Sequence, residues 1–134
     1  MRKFETGFLV GSSDKPKTEV YQKKKVGDDQ NNLVAIASKI SGNNLDWIAT
    51  LEAENGLWDL RRKHPNQNKN GTWDYSCGLN SAYHKPFINQ LKVKSDTEIL
   101  QYCYDVYNGR KTAFYGYFQR QKHFDKFYLT LEKS

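Results

Sequence analysis

The chain has 134 residues and 15.7 kDa, the length of one domain with a core of its own, which argues against a two-domain arrangement. Charged residues make up 27% and mean hydropathy is -0.88, so no stretch approaches the ~20 apolar residues of a membrane span. A formal net charge of +6 and a pI near 9.2 select anionic partners (nucleic acid, an anionic membrane surface or an acidic cell wall) but specify no chemistry.

Residues 1–30 are rich in Lys, Asp, Ser and Gly. They predict an irregular or partly extended arm with one short strand around Thr18 to Tyr21, ahead of a domain over 31–134. Met1 to Val10 holds only the brief apolar patch Phe8, Leu9 and Val10, so no signal peptide is expected in this chain. The spacing of Leu33, Val34, Ile36, Ala37 and Ile40 predicts a helix capped by Asn32 and ended by Ser41-Gly42-Asn43-Asn44. Asn44 can cap a second helix through Trp47, Ile48, Leu51 and Glu54, with Gly56 as its left-handed terminator. On that helix Glu52 is expected to face solvent.

Arg61 to Thr72 is dense in Asn, Lys, His, Pro and Gly, which predicts an exposed loop or small hairpin turning at Asn70-Gly71. Ser95-Asp96-Thr97-Glu98 has the form of a capping box and opens a helix that Gly109 closes. A last helix is expected from Thr112 to about Tyr128, burying Phe114, Tyr117, Phe118, Phe124 and Phe127. The basic clusters Lys23-Lys24-Lys25 and Arg61-Arg62-Lys63 are short and do not follow one helical face, which disfavours a dedicated DNA reader. His64, His84 and His123 lack the short spacing of a zinc site, and neither a Gly-rich phosphate loop nor a nucleophile elbow is present, so no metal or cofactor is expected. Cys77 and Cys103 are compatible with one disulfide or with two buried thiols.

Three segments carry a family resemblance. The run Ala49 to Leu57, with Glu54-Asn55-Gly56-Leu57 after an apolar helix, resembles the catalytic-helix motif Glu-Ser-x-Phe of the soluble lytic transglycosylases and goose-type lysozymes. Asp74 to His84 is similar to the region where that family has Gly-Leu-Met-Gln-Ile; Gly78 and Leu79 match, and Ser81 stands at the expected Gln. Asp105 to Arg110 resembles the family's Tyr-Asn-x-Gly, with Tyr107 and Asn108 matching and the glycine one place early. The order of the segments over roughly Leu45 to Phe127 is that of the family.

The resemblance implies a mainly α, lysozyme-like single domain with a loop or small hairpin beside a glycan cleft. It implies cleavage of the β-1,4 bond between N-acetylmuramic acid and N-acetylglucosamine in peptidoglycan. Glu54 would be the catalytic acid, because a sugar alkoxide leaves poorly unless a carboxylic acid of raised pKa protonates it. Tyr107 would lie close to Glu54, and Gly78, Leu79, Asn80, Ser81, Tyr83 and Asn108 would line substrate subsites. Asp74 is the candidate second carboxylate, required by an inverting hydrolase and dispensable to a lytic transglycosylase, with Asp59 a weaker option. Trp58 suits the core, whereas Trp73 suits either core or sugar stacking. A Cys77–Cys103 bridge would pin two cleft walls. The expected setting is the cell wall, periplasmic, extracellular or phage-associated, for a monomer or a part of a larger wall-penetrating machine, with no nucleic acid and no membrane insertion. A glycan-binding module without turnover and a basic nucleic-acid binder are the alternatives.

Overall fold

The computed structural model describes residues 18–132, and the portion of the N-terminal arm before Thr18 lies outside them. Within this range the protein is a mainly α domain with five helices and one two-stranded antiparallel sheet. Strand β1 (Glu19–Lys23) is followed by α1 (Asp28–Ser41), α2 (Leu45–Glu54), α3 (Ser81–Ile88), α4 (Asp96–Gly109), α5 (Tyr115–Gln119) and β2 (Phe127–Leu131). Short 3-10 turns occupy Ser76–Gly78, Lys111–Ala113 and Arg120–Lys126. β1 pairs with β2 from Glu19 opposite Leu131 to Lys23 opposite Phe127, so the two ends of the described chain close on each other.

The short strand expected around Thr18 to Tyr21 forms as β1, but the segment around it departs from the sequence expectation. β1 packs on α1, Val20 is buried, and the Tyr21 amide donates to Ser38 Oγ at 2.8 Å, so 18–30 is part of the folded body rather than an irregular arm. α1 also begins at Asp28, four residues before the expected Asn32 cap, with Asp28 and Asp29 in its first turn, where carboxylates favour the positive end of the helix dipole. Gly42 closes it at φ 63°, a left-handed conformation that costs glycine little.

Helix α2 is the axis of the core. Its six consecutive residues from Trp47 to Glu52 are buried, as in a helix covered on nearly all sides. α1, α5 and the 3-10 turn Arg120–Lys126 pack against it. Asn44 caps it through its side chain to the Trp47 amide, as the sequence predicts. Its end does not rely on Gly56; Asn55 leaves the helix at φ -158° while its amide still bonds Leu51, and the left-handed residue in the following turn is Trp58 (φ 59°). The capping box at Ser95 and Glu98 forms on α4 with both reciprocal hydrogen bonds.

The expected long last helix is broken into α5, a 3-10 turn and β2. Phe114 and Phe127 are buried, but Phe118 is 63% exposed. The break follows from a close crossing. A Cβ on Gly116 would lie 2.7 Å from the Thr50 carbonyl oxygen and 2.8 Å from Glu54 Cγ, so α5 meets α2 backbone to backbone over one turn and the chain then turns away.

Candidate active site

Glu54 occupies the last turn of α2, half-buried, where the helix axis runs out into a cleft of about 260 Å³. The cleft is walled by Asn55, by Arg62, His64, Asp74 and Ser76 from the following segment, by Gly78, and by Ala113 and Tyr115. Two glycines let the walls approach the carboxyl. Gly78 (φ 75°) puts its backbone where a Cβ would stand 2.8 Å from the Phe114 ring and 3.3 Å from Glu54 Oε1, and Gly116 closes on Glu54 from the other side.

Burial is the largest influence on the Glu54 carboxyl and raises its pKa; a backbone hydrogen bond from Gly116 works against this, and the nearby charge of Asp74 adds to it. The outcome is a pKa above the usual glutamate value. A second carboxylate, Asp74, shares the cleft and accepts a hydrogen bond from Asn80 Nδ2 at 2.8 Å. A carboxyl whose protonated form is favoured by burial, next to a second carboxylate, has the chemistry of a proton donor.

Asp74 is held by an irregular hairpin. Lys63 bridges Tyr75, the His64 amide donates to the Asp74 carbonyl at 2.8 Å, and the Ser76 amide donates to the Arg62 carbonyl at 3.1 Å. The turn closes at Asn68 to Thr72, with Gly71 at φ 87°. The hairpin sets Arg62 and His64, with Asp74, Tyr75 and Ser76, along the cleft wall, while Lys63 lies over the Trp73 ring at 3.9 Å. Arg62, His64 and Tyr115 are cleft residues that the sequence reading missed. The readable signal for the first two was the two-residue spacing from Arg62 to His64 ahead of the Asn-Gly turn.

A second hollow of about 420 Å³ adjoins the first through Gly78 and Ala113, lined by Asn80, Tyr83, His84, Asp105, Val106, Gly109, Arg110 and Phe114. Together the two form a groove running past Glu54. Of the expected subsite residues, Gly78, Asn80 and Tyr83 line this groove, Tyr83 being 77% exposed. Leu79 is core. Ser81 has a structural bond, its hydroxyl accepting from the Trp73 amide at 2.9 Å, and Asn80 caps α3 through the Ala82 amide. Asn108 is exposed on the last turn of α4 and lines neither hollow.

Tyr107 also lies off the groove. It is fully buried against Trp47, Tyr104, Phe114 and Tyr117, with its hydroxyl beside Thr50. Burial first, then the neighbouring Asp46 and Tyr117, push its pKa up to about 12. It reaches the site indirectly, through the Phe114 ring that packs on Gly78.

Cys77 and Cys103 are free, buried thiols in contact beneath the Gly78 turn; burial and the Cys77 hydrogen bond raise the Cys103 pKa. Trp58 is core, and Asp59 is exposed and outside the groove.

Glu52 is the largest surprise on α2. It is 5% exposed, not solvated, and accepts from Trp58 Nε1 at 2.9 Å, Lys23 Nζ at 2.9 Å and Lys126 Nζ at 3.3 Å. Burial would raise its pKa, but the hydrogen bonds from Lys23 and Trp58, the Lys23 charge and the Lys126 bond outweigh it and leave the carboxyl below its usual value. Among the described residues no cluster of His, Cys, Asp and Glu is arranged to hold a metal. No described helix is long and apolar enough to cross a membrane. Comparisons of the chain with protein-family models, with curated proteins and with solved structures find no match.

Proposed function

We propose that this protein is a lysozyme-like peptidoglycan-cleaving enzyme acting through Glu54, working as a lytic transglycosylase in or near the bacterial cell wall. The observation that carries the reading is the placement of Glu54, a carboxyl of raised pKa at a helix end, on the floor of a groove that extends past it toward Asn80 and Tyr83. The resemblance of Glu54, Gly78-Leu79 and Tyr107-Asn108 to family motifs supports the same choice, and the Gly78 turn indeed packs on the Glu54 carboxyl.

In this mechanism a glycan strand lies along the groove, and protonated Glu54 donates its proton to the bridging oxygen as the bond to the muramic anomeric carbon breaks. Positive charge develops at that carbon, where Asp74 stabilises it. Glu54, now a carboxylate favoured by the Gly116 N–H, takes the proton of the sugar's own 6-hydroxyl. That oxygen closes on the anomeric carbon, and the 1,6-anhydro product leaves Glu54 protonated again. The exposed rings of Tyr83 and Tyr115 offer apolar faces to the sugars, and the net positive charge draws the enzyme to an acidic wall.

A hydrolytic muramidase is the second reading, favoured by the electrostatic coupling of Asp74 to Glu54, with Asp74 activating a water on the far face of the ring. Digestion of purified peptidoglycan by the wild type and Glu54→Gln, with released muropeptides weighed by mass spectrometry, tests both. Anhydro-muramic ends, lighter by one water and absent with the variant, are the expected result. Reducing ends would establish the muramidase, and wall binding without product from either protein would reduce the domain to a glycan-binding module.

A further inference from the structure

A second charged feature lies on the other side of α2. Residues 52 and 54 are about 200° apart around a helix, so the Glu52 side faces away from the groove. There an open hollow of about 650 Å³ is lined by Lys23, Lys24 and Lys25 from the end of β1 and its turn, by Lys122 and Lys126 from the 3-10 turn before β2, and by Val26, Glu52 and Asp125. Two basic segments about a hundred positions apart in the chain thus converge, tied by the Lys24 amide to the Lys126 carbonyl at 2.9 Å.

The lysines fall into two sets. Lys23 and Lys126 are committed to Glu52, and Lys23 also bonds Gln30 and the Gly56 carbonyl. The side chains of Lys24, Lys25 and Lys122 have no hydrogen bond or ion pair among the described residues. Lys25 stands at φ 62°, a left-handed conformation unusual for a long side chain, at the turn that presents the triplet. The positive field is felt nearby, since burial and then the charges of Lys126, Lys122 and Lys23 hold the His123 pKa down against the one opposing effect of Glu52.

From this arrangement we infer a second binding site, for a linear polyphosphate chain, held by Lys24, Lys25 and Lys122 on the face opposite the Glu54 groove. The composition of the hollow makes the choice. Lysine ammoniums are point charges that bind phosphates without the planar fork that arginine presents to a specific partner. No aromatic lines the hollow among the described residues, so it offers no platform for nucleic-acid bases. Its one apolar lining residue, half-buried Val26, gives nothing to insert into a lipid surface. The site is independent of catalysis at Glu54, and an anionic polymer bound there leaves the groove free, which would tether the protein while a glycan occupies the other side.

The test is binding of a fluorescently labelled long-chain polyphosphate to the full chain, wild type and Lys24→Gln/Lys25→Gln/Lys122→Gln, across a salt series. A control variant, Lys69→Gln/Lys85→Gln/Lys92→Gln, removes the same charge from exposed lysines outside the hollow. The hollow variant is expected to bind at least tenfold more weakly, with the slope of log affinity against log salt smaller by about 2, while the control changes affinity less than threefold. Equal losses in the two triple variants would mean diffuse net charge and overturn the site. Tighter binding of length-matched single-stranded DNA, poly-glutamate or anionic vesicles than of polyphosphate would overturn the phosphate-chain assignment. Circular dichroism confirms folding of each variant, and none of the three substituted lysines has a partner to lose among the described residues.

Discussion

Glu52 and Glu54 stand two residues apart on one helix and are treated in opposite ways. Glu52 is buried and surrounded by two ammoniums and an indole N–H, so its charge is stabilised and its pKa lies low. Glu54 is half-buried with a single backbone donor and another carboxylate for company, so its charge is disfavoured and its pKa lies high. The difference shows that burial alone does not decide the direction of a carboxyl's pKa shift. What matters is whether the burying groups neutralise it, as at a structural anchor, or leave its proton available, as at an acid.

The sharpest way to break this comparison is at Glu54 itself. Glu54→Gln should lower the rate of peptidoglycan cleavage by about 10²–10⁴, measured by muropeptide release, while the fold survives. Its stability should not fall at neutral pH, because the carboxyl it removes is better accommodated protonated than charged.

Glu52→Ala should show the reverse pattern. It strands Lys23, whose side chain is 11% exposed, without its carboxylate, and should cost about 3 kcal/mol in denaturant melts. Activity per folded molecule should persist, since Glu52 does not line the groove. Loss of activity in excess of loss of folded protein would show that the two faces of α2 are not separable.

Gly116→Ala attacks the crossing that separates the two environments. The new methyl group meets the Thr50 carbonyl and the Glu54 side chain, so a loss of roughly 2 kcal/mol is expected, together with a larger loss of activity than melting explains.

Asp74→Asn discriminates within the cleft. A lytic transglycosylase should lose less than about tenfold in rate, because Asp74 then supplies only electrostatic support, and the products should still carry anhydro ends. Loss approaching that of Glu54→Gln would favour the muramidase.

The gentlest test is pH. The lowered Glu52 pKa contributes stability that is present above its unfolded value and disappears as pH falls through the folded one, so acid melting should flatten in Glu52→Gln. The raised Glu54 pKa acts the other way; its contribution is complete below the unfolded value and vanishes as pH rises through the folded one. The alkaline limb of activity should follow the same rise, because the proposed mechanism starts from the protonated carboxyl.

Much of the local structure was legible in the sequence. Asn44 and the Ser95–Glu98 box announced their helices because capping is a short-range exchange of hydrogen bonds, decided within three residues. Glu54, Asp74 and Asn80 were singled out by a resemblance to motifs, and in the structure Glu54 and Asp74 share one cleft while Asn80 bonds Asp74. The hairpin around Asn70-Gly71 was signalled by its turn chemistry.

Other features depended on contacts between distant segments. The short strand expected near Thr18 to Tyr21 found its partner in β2, more than a hundred residues later, a pairing no local pattern could announce. The aromatic run after Thr112 satisfied a helical period yet broke, since Gly116 had to cross α2 at backbone distance. The sequence by itself determined that α2 would form and that it would carry Glu52 and Glu54 on different faces. Tertiary structure alone decided which became the anchor and which the candidate acid, because a pKa depends on charges and burial brought by Lys23, Lys126, Asp74 and Gly116, none of which is a helical neighbour of either glutamate.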